Sequence, residues 1–224
     1  RLQCNDGGGF YHEYRVYRRK NDAALCVLMD CTMNFRKDGF CAFADEETAF
    51  TTASVVEDEN GWTGWMSTEN GIVLPDKITL AKSEWEEFLK PDDPVIHLHI
   101  PADGPLLPEM VVDSCRKMVK FHWEKLNRKP KAFVCESWLL DPMFDNLLPE
   151  KSNILKFKRM GYCMPGPAGE SELIRRVFGS KAIRNGVNTV PHKTSMQKIF
   201  AAYLNGGGHA RNGAFVIPFD TICS

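Results

Sequence analysis

The sequence predicts an α+β fold in which antiparallel strands come first and a parallel strand–helix–strand unit follows. Residues 10–74 are short aromatic and aliphatic stretches separated by turn sequences such as Glu59-Asn60-Gly61, a pattern typical of an antiparallel meander. From residue 94 onward, longer apolar runs alternate with helical periodicity, which is typical of strand–helix–strand units. With 224 residues, the chain can bury the core of one large domain or two small ones.

The first part of the chain, residues 1–92, is expected to be rich in antiparallel strands. A short helix is expected over Ser83–Leu89, because Ser83 and Glu86 have the spacing of a capping box. The expected strands of this part are Phe10–Tyr17, Ala23–Met33, Phe40–Phe43, Ala49–Val56 and Trp62–Met66.

The second part, residues 93–224, contains the predicted parallel unit. Strand Val95–Ile100 is followed by a helix that begins at Pro108 and then by the apolar strand Lys131–Leu140. A continuous apolar run suits a strand that is buried on both faces, as in parallel sheets. Further expected elements are a strand over Asn153–Phe157, helices over Glu170–Phe178 and Ser195–Leu204, and a strand over Gly213–Phe219.

Composition excludes several protein classes. Apolar residues make up 43% and charged residues 25% of the chain, as in ordinary globular proteins. No apolar run approaches the roughly 18 residues of a membrane span, so no membrane partner is expected. The eight cysteines include no Cys-x-x-Cys pair. We therefore expect buried thiols in a reducing compartment, the cytoplasm, and no metal site.

Charge is unevenly distributed along the chain. Residues 38–93 hold 14 acidic and 3 basic side chains, whereas residues 175–211 hold seven basic side chains and no acidic one. The basic stretch is either a solvated face or a partner for a ligand that carries phosphate. The acidic stretch argues against a nucleic-acid partner.

Four residues of the parallel unit are candidates for catalysis. His97 and His99 alternate along one strand and therefore share a face, and a histidine that titrates near neutrality can serve as a general base. Glu136 and Ser137 interrupt an apolar strand, where a carboxylate must be paired or perturbed. The alternatives are two hydrogen-bonded histidines on a half-buried face and a turn after the strand that Ser137 and Asp141 cap.

Several short stretches in the second part resemble one known family. They are His99-Ile100-Pro101, Phe133-Val134-Cys135-Glu136-Ser137-Trp138-Leu139-Leu140-Asp141-Pro142, Leu148-Pro149 followed by Ser152-Asn153-Ile154, Arg176-Val177-Phe178-Gly179 and Thr194-Ser195-Met196-Gln197. Together they resemble bacterial acyltransferases that join an N-terminal acyltransferase-type domain to a C-terminal GNAT-like domain. The resemblance covers about residues 10–219. The resemblance also implies that an upstream domain of the full-length protein is missing from this chain, which starts at Arg1.

The resemblance implies a GNAT-like mixed sheet whose second half, residues 93–224, binds acyl-CoA or acetyl-CoA. The pantetheine arm would lie between the two parallel strands, and the pyrophosphate at the following helix N-terminus. The residues implied in this binding are Ile100, Pro101, Asp103, Gly104, Arg175 and Arg176. The loop Pro101–Leu106 departs from the glycine-rich loop of the family, because its two prolines lack the N–H donors that a phosphate needs.

The implied function is an acyl-CoA-dependent N- or O-acyltransferase that transfers the acyl group directly to a small-molecule acceptor in a ternary complex. His99, His97, Glu136 and Ser137 are its candidate catalytic residues. The alternative is a non-catalytic GNAT-like module that binds a ligand or another domain.

Overall fold

Two β-sheets face each other across a shared apolar core. The computed structural model describes residues 3–5, 9–101, 104, 106–127 and 130–223. Buried side chains from both sheets meet in this core, among them Val16 and Val27 of one sheet and Val134 and Val216 of the other. The fold is α+β, as predicted.

The first sheet is antiparallel throughout and confirms the predicted meander. The strands up to residue 89 are β1 (Gln3–Asn5), β2 (Tyr14–Arg19), β3 (Leu25–Met29), β4 (Asn34–Phe35), β5 (Phe50–Thr51), β6 (Val56–Glu57), β7 (Gly61–Ser67), β8 (Val73–Ala81) and β9 (Trp85–Leu89). The sheet order is β6-β7-β3-β2-β9. β8 also pairs with β7, from Gly61–Ala81 to Ser67–Val73. β4 and β5 pair with each other in a separate two-stranded sheet, and β1 belongs to the second sheet.

Two expectations for this part of the chain are wrong. The helix expected over Ser83–Leu89 is strand β9, in which Leu89 pairs with Val16 of β2. Pairing with β2 buries Leu89 completely, and this tertiary contact outweighs the local capping signal. Phe40–Phe43 is not a strand either, since Cys41 forms only an isolated bridge to Phe35.

The second sheet contains the predicted parallel unit. Its strands lie in the order β1, β10 (Ile96–His99), β11 (Ala132–Ser137), β13 (Arg211–Pro218) and β12 (Tyr162–Ala168), and helix α1 (Pro108–Lys125) follows β10. Among the strands that the structure describes, β10 and β11 form the parallel pair, and α1 connects them. The remaining helices are α2 (Phe144–Leu147), α3 (Asn153–Lys158), α4 (Ser171–Phe178), α5 (Ser180–Asn185), α6 (Ser195–Asn205) and α7 (Phe219–Cys223).

The helices of the second part confirm most of the predictions. α6 begins with the expected capping box, in which Thr194 and Gln197 satisfy each other's backbone amides. Residues 153–157, however, form helix α3 and not a strand. Ser152 accepts a hydrogen bond from the Ile154 amide at this helix start, and the short apolar run is compatible with either periodicity.

Most of the described cysteine side chains are buried, as the sequence predicts. Cys26, Cys41, Cys115, Cys135 and Cys163 are buried thiols, and Cys31 is half-buried. Burial raises the pKa of the Cys135 thiol to about 12, so this group is not a nucleophile at neutral pH. Within the described ranges, no helix is long and apolar enough to cross a membrane.

A buried arginine connects the two halves of the chain. Arg211 begins β13 and is 2% exposed. Its guanidinium pairs with Glu46 and donates to the Cys41 and His209 carbonyls. Its backbone amide donates to the buried Asp141 carboxylate. We call Arg211, Glu46 and Asp141 the Arg211 cluster.

Candidate functional site

A cleft opens where the two parallel strands separate. β10 and β11 are paired only at Ile96–Phe133 and His97–Val134. Beyond these two pairs lies a cavity of about 650 Å³. Its lining consists of Leu98, His99, Ile100, Pro101, Cys135, Glu136, Ser137, Trp138, Leu139, Glu172, Arg176 and Asn212.

The strands separate because each follows its other neighbour. β11 pairs with β13 over its full length, from Ala132–Pro218 to Ser137–Gly213. β10 pairs with β1 as far as His99–Gln3. Pro101 follows β10 and can neither donate to a ladder nor continue the strand. Beyond these two pairs no strand of the described residues lies between β10 and β11, so a ligand can enter there.

The two histidines of β10 have different surroundings. His99 lines the cleft and is exposed. His97 is half-buried outside the described cleft lining, with its Nε2 atom 3.2 Å from the Gly9 carbonyl and its ring edge-on to Tyr11. The structure thus places His99, but not His97, at the predicted site, and His97 matches the alternative of a hydrogen-bonded histidine on a half-buried face.

Glu136 lines the cleft from the opposite wall. It is exposed, contrary to the expectation of a buried carboxylate. Val134 pairs with His97 and belongs to the core between the sheets. Because side chains alternate along a strand, Glu136 shares this face with Val134, as His99 does with His97.

Tyr11 is a residue that the sequence did not single out. Its hydroxyl is buried and finds no hydrogen-bond partner among the described residues. Burial, followed by electrostatic interaction with the nearby acidic groups of Cys135 and Glu136, raises the pKa of this phenol well above its ordinary value. Tyr11 comes from the first part of the chain, about 125 positions before Glu136, so no local sequence signal could have joined the two.

Ser137 has a structural role. Its hydroxyl accepts a hydrogen bond from the Leu139 amide at 3.2 Å and begins the 3₁₀ turn Trp138–Leu140. The Asp141 carboxylate accepts from the Met143 amide at 3.0 Å. Both contacts match the predicted alternative in which Ser137 and Asp141 cap the turn after the strand. The Ser137 side chain also lies on the Cys135 face of β11, opposite to that of Glu136.

The two candidate arginines also differ. Arg176 lines the cleft and Arg175 does not belong to the lining. Both guanidinium groups contact Glu172, Arg175 at 2.5 Å and Arg176 at 3.4 Å. The more distant partner, Arg176, keeps more of its donor capacity for a ligand in the cleft.

The loop between β10 and α1 contributes Ile100 and Pro101 to the cleft. Gly104 is exposed, with open space around its α-carbon, and Asp103 lies outside the described residues. Helix α1 starts with Pro108, which has no N–H group, and carries Glu109 in its first turn, where the Met110 amide donates to the Leu107 carbonyl. Across the described ranges, no three His, Cys, Asp or Glu side chains form a cluster suited to a metal ion.

Comparisons with known proteins agree with this arrangement. No curated protein matches the sequence. Among solved structures, an acyltransferase mutant in complex with octanoyl-CoA is 26% identical, with a TM-score of 0.51 over 57% of this chain. An acyltransferase in complex with decanoyl-CoA and teicoplanin is 26% identical, with a TM-score of 0.51 over 64% of this chain. These matches cover 41% and 44% of the solved chains, so the present chain spans less than half of their length.

The family comparison covers most of the chain. Residues 32–217 match the model of the GNAT-like C-terminal domain. This match extends from the loop after β3 to the end of β13 and includes both walls of the cleft. The chain therefore belongs to the family of GNAT-like C-terminal domains.

Proposed function

We propose that this chain binds acyl-CoA in the cleft between β10 and β11 and takes part in transfer of the acyl group to a nucleophilic acceptor. The observation that carries the proposal is the separation of the two parallel strands after two pairs, with a cavity of about 650 Å³ between them. The solved structures similar to this chain, at 25–26% identity, are acyltransferases in complex with CoA, octanoyl-CoA or decanoyl-CoA.

The chemistry of the cleft walls supports this ligand. Peptide groups on both facing strand edges can pair with an arm that contains amides, in the way that an added strand pairs with a sheet edge. Leu98, Ile100 and Leu139 supply apolar surface for an acyl chain. Arg176 supplies a fork of donors for a phosphate group. The first turn of α1 supplies the positive end of a helix dipole.

Acyl transfer requires a base at the thioester. The nitrogen or oxygen of the acceptor attacks the thioester carbonyl carbon, a C–N or C–O bond forms, the C–S bond breaks, and CoA leaves as the thiol after protonation. His99 and Glu136 lie on the two walls of the cleft, and either can take the proton of the acceptor. Positioning of the two reactants supplies much of the remaining rate enhancement.

Ligand binding gives the direct test. We expect CoA, acetyl-CoA, octanoyl-CoA and decanoyl-CoA to raise the unfolding temperature of the chain, since a ligand of the native state stabilises it. Ile100→Trp should fill the cleft and abolish this stabilisation. Ile183→Trp, at an exposed position of α5, is the matched control and should leave it intact.

Turnover is then measured as release of the CoA thiol in the presence of candidate amines and alcohols. Binding of a CoA ligand without turnover of any acceptor would favour the alternative of a non-catalytic module. If none of the four CoA ligands shifts the unfolding temperature or binds in calorimetry, the proposed function is wrong.

A further inference from the structure

A group of exposed basic side chains beside the cleft has no acidic partner. Residues 175–211 contain seven basic residues and no acidic one. Arg175 and Arg176 pair with Glu172, and Arg211 is buried. The other four are exposed, and none of them forms an ion pair with a carboxylate among the described residues. We call these four residues the basic face: Lys181, Arg184, Lys193 and Lys198.

The basic face is attached to the helix that reaches into the cleft. Helix α4 ends at Phe178, whose ring meets the ring of His192 edge-on, with 5.5 Å between their centroids. The Gln197 side-chain nitrogen donates to the Val177 carbonyl at 2.9 Å, and α5 begins two residues after α4 ends. The segments that carry the basic face therefore meet at the last turn of α4. That turn also carries Arg176, which lines the cleft.

The composition of this surface suits contact with another protein. A solvated protein surface usually mixes charges of both signs, whereas the basic face carries one sign only. Ile183 lies between Lys181 and Arg184 in α5 and is 44% exposed. Contact surfaces between proteins place apolar residues within a polar rim, and charges of one sign select a partner of the opposite sign. The basic face therefore fits a protein with an acidic surface.

The chain offers few donors to a pyrophosphate near the start of α1. Pro101 and Pro108 have no N–H group, and Glu109 places a negative charge in the first turn of the helix. The Met110 amide donates to the Leu107 carbonyl. A pyrophosphate needs several free donors and is repelled by a carboxylate. A phosphopantetheine arm that is attached to a protein has one phosphate diester and no nucleotide, so it needs fewer donors.

We propose that the acyl group reaches the cleft on the phosphopantetheine arm of an acidic carrier protein, which docks on the basic face. This proposal rests on the proposed function and names the class of its acyl donor. The acceptor attacks the thioester carbonyl carbon, the C–S bond breaks, and the carrier protein keeps its arm as the free thiol after protonation. Arg176, in the turn that joins the basic face to the cleft, can pair with the single phosphate of the arm. Acyl-CoA contains the same arm and thioester, so it also remains a ligand of the cleft.

Charge reversal on the basic face tests the docking. The probe is an acidic bacterial acyl carrier protein that bears an octanoyl group on its phosphopantetheine arm. Lys181→Glu combined with Arg184→Glu should weaken binding of this probe by about 10- to 100-fold, because two attractive contacts become repulsive. The same variant should keep its affinity for octanoyl-CoA and its unfolding temperature, since neither residue belongs to the described cleft lining. Fluorescence anisotropy measures these affinities, and added salt should weaken probe binding to the original chain more than to the variant.

Three controls isolate the position of the charges and the protein part of the donor. Lys37→Glu combined with Lys90→Glu makes the same change in net charge at two exposed lysines outside the basic face and should bind the probe as the original chain does. Lys181→Arg combined with Arg184→Lys keeps both charges and should retain most of the affinity. Octanoyl-pantetheine, which lacks the protein, should bind the original chain and the charge-reversed variant equally.

The outcomes distinguish the docking from the function beneath it. If the original chain binds octanoyl-CoA but binds the octanoyl carrier protein no more tightly than octanoyl-pantetheine, the docking is wrong and the proposed function stands. An equal loss of affinity for octanoyl-CoA in the charge-reversed variant would assign the basic face to the nucleotide and overturn the proposal. A salt-sensitive dimer of the chain alone, abolished in that variant, would assign the face to a second copy and overturn it too. If the original chain binds none of the three octanoyl ligands, the proposed function fails first.

Discussion

Arg211 and Asn212 are neighbours in β13, and they show two opposite uses of a buried polar group. The Arg211 guanidinium reaches a carboxylate and two carbonyls, and the Arg211 amide reaches Asp141. The Asn212 oxygen, one residue later, has no donor within the described part of the chain. A saturated cluster stabilises the fold, whereas a buried oxygen without a donor costs stability. Mutations in the Arg211 cluster should therefore change the free energy of unfolding, whereas mutations in the cleft should change turnover or ligand affinity.

The largest effect is expected on turnover in the cleft. His99→Ala or Glu136→Gln should lower kcat by about 10²–10⁴-fold and remove the acidic limb of the pH–rate profile, because either change removes a candidate general base. His97→Ala should cost much less, since His97 contacts the Gly9 carbonyl outside the cleft lining. Initial rates of thiol release against pH measure this, with circular dichroism as the control for folding.

Equal losses in the His97 and His99 variants would contradict this difference between the two histidines. If all three variants kept full turnover, neither histidine nor Glu136 would be the base. Catalysis would then depend on water or on a residue of another domain.

The next effect concerns stability alone. Arg211→Met should destabilise the fold by about 3–5 kcal/mol, because it removes one of the two arginines that pair with Glu46 and takes the guanidinium donor from the Cys41 and His209 carbonyls. For a chain of this size that lowers Tm by about 6–20 °C. Arg159→Met, which breaks the exposed pair with Glu150, is the matched control and should cost less than about 1 kcal/mol.

Denaturant unfolding of the two variants makes the comparison. CoA affinity of the folded Arg211→Met protein should stay within a few-fold of the original value. A stability equal to that of Arg159→Met would show that the Arg211 cluster is not the stabilising region.

Asp141 should make this stability depend on pH. Burial raises the pKa of Asp141 from its ordinary value of 3.8 to about 7, against the opposing hydrogen bonds of the Arg211 and Met143 amides. The folded state therefore holds a proton that the unfolded state releases, and stability falls as pH rises from about 4 through about 7. The difference can reach about 4 kcal/mol.

Unfolding free energies at pH 4–8 test this for the original chain and for Asp141→Asn, which cannot titrate. The original chain should lose stability over this range relative to the variant. Parallel curves would mean that Asp141 keeps an ordinary pKa.

The smallest effect compares the two arginines that contact Glu172. Arg176→Gln should weaken CoA binding by about 5- to 30-fold, corresponding to about 1–2 kcal/mol for a partly exposed contact with phosphate. Arg175→Gln removes an equivalent pair with Glu172, but Arg175 is not part of the described cleft lining. This variant should therefore bind CoA with unchanged affinity. Calorimetry at two salt concentrations would also show a weaker salt dependence for Arg176→Gln only.

Local sequence signals predicted the parallel unit well. The sequence marks β10 and β11 by flanking prolines and apolar runs, and it marks α6 by a capping box. Each of these signals lies within a few residues. β9 and α3 were mispredicted because pairing with β2 and packing against the core decide them. β8 and β12 were missed, and β12 carries Pro165 and Gly166, which disguise a strand.

The candidate site divides in the same way. His99, Glu136, Ile100, Pro101 and Arg176 line one cleft. The two titratable residues were predicted from their places on the strands, and the other three were implied by the resemblance. Tyr11 and Asn212 could not be predicted, because each is distinguished by a buried oxygen that has no hydrogen-bond partner among the described residues. Such a property exists only after distant segments have packed together.

The separation of β10 from β11 also creates a sheet edge in the interior of a sheet. Over Leu98 and His99 the side of β10 that faces the cleft has no strand of the described residues beside it, and an open strand edge is a place where a strand of another molecule can add. Pro101 follows β10 closely and ends this edge after a few residues, which is too short for a stable intermolecular ladder. The opening between β10 and β11 is thus too short to seed aggregation.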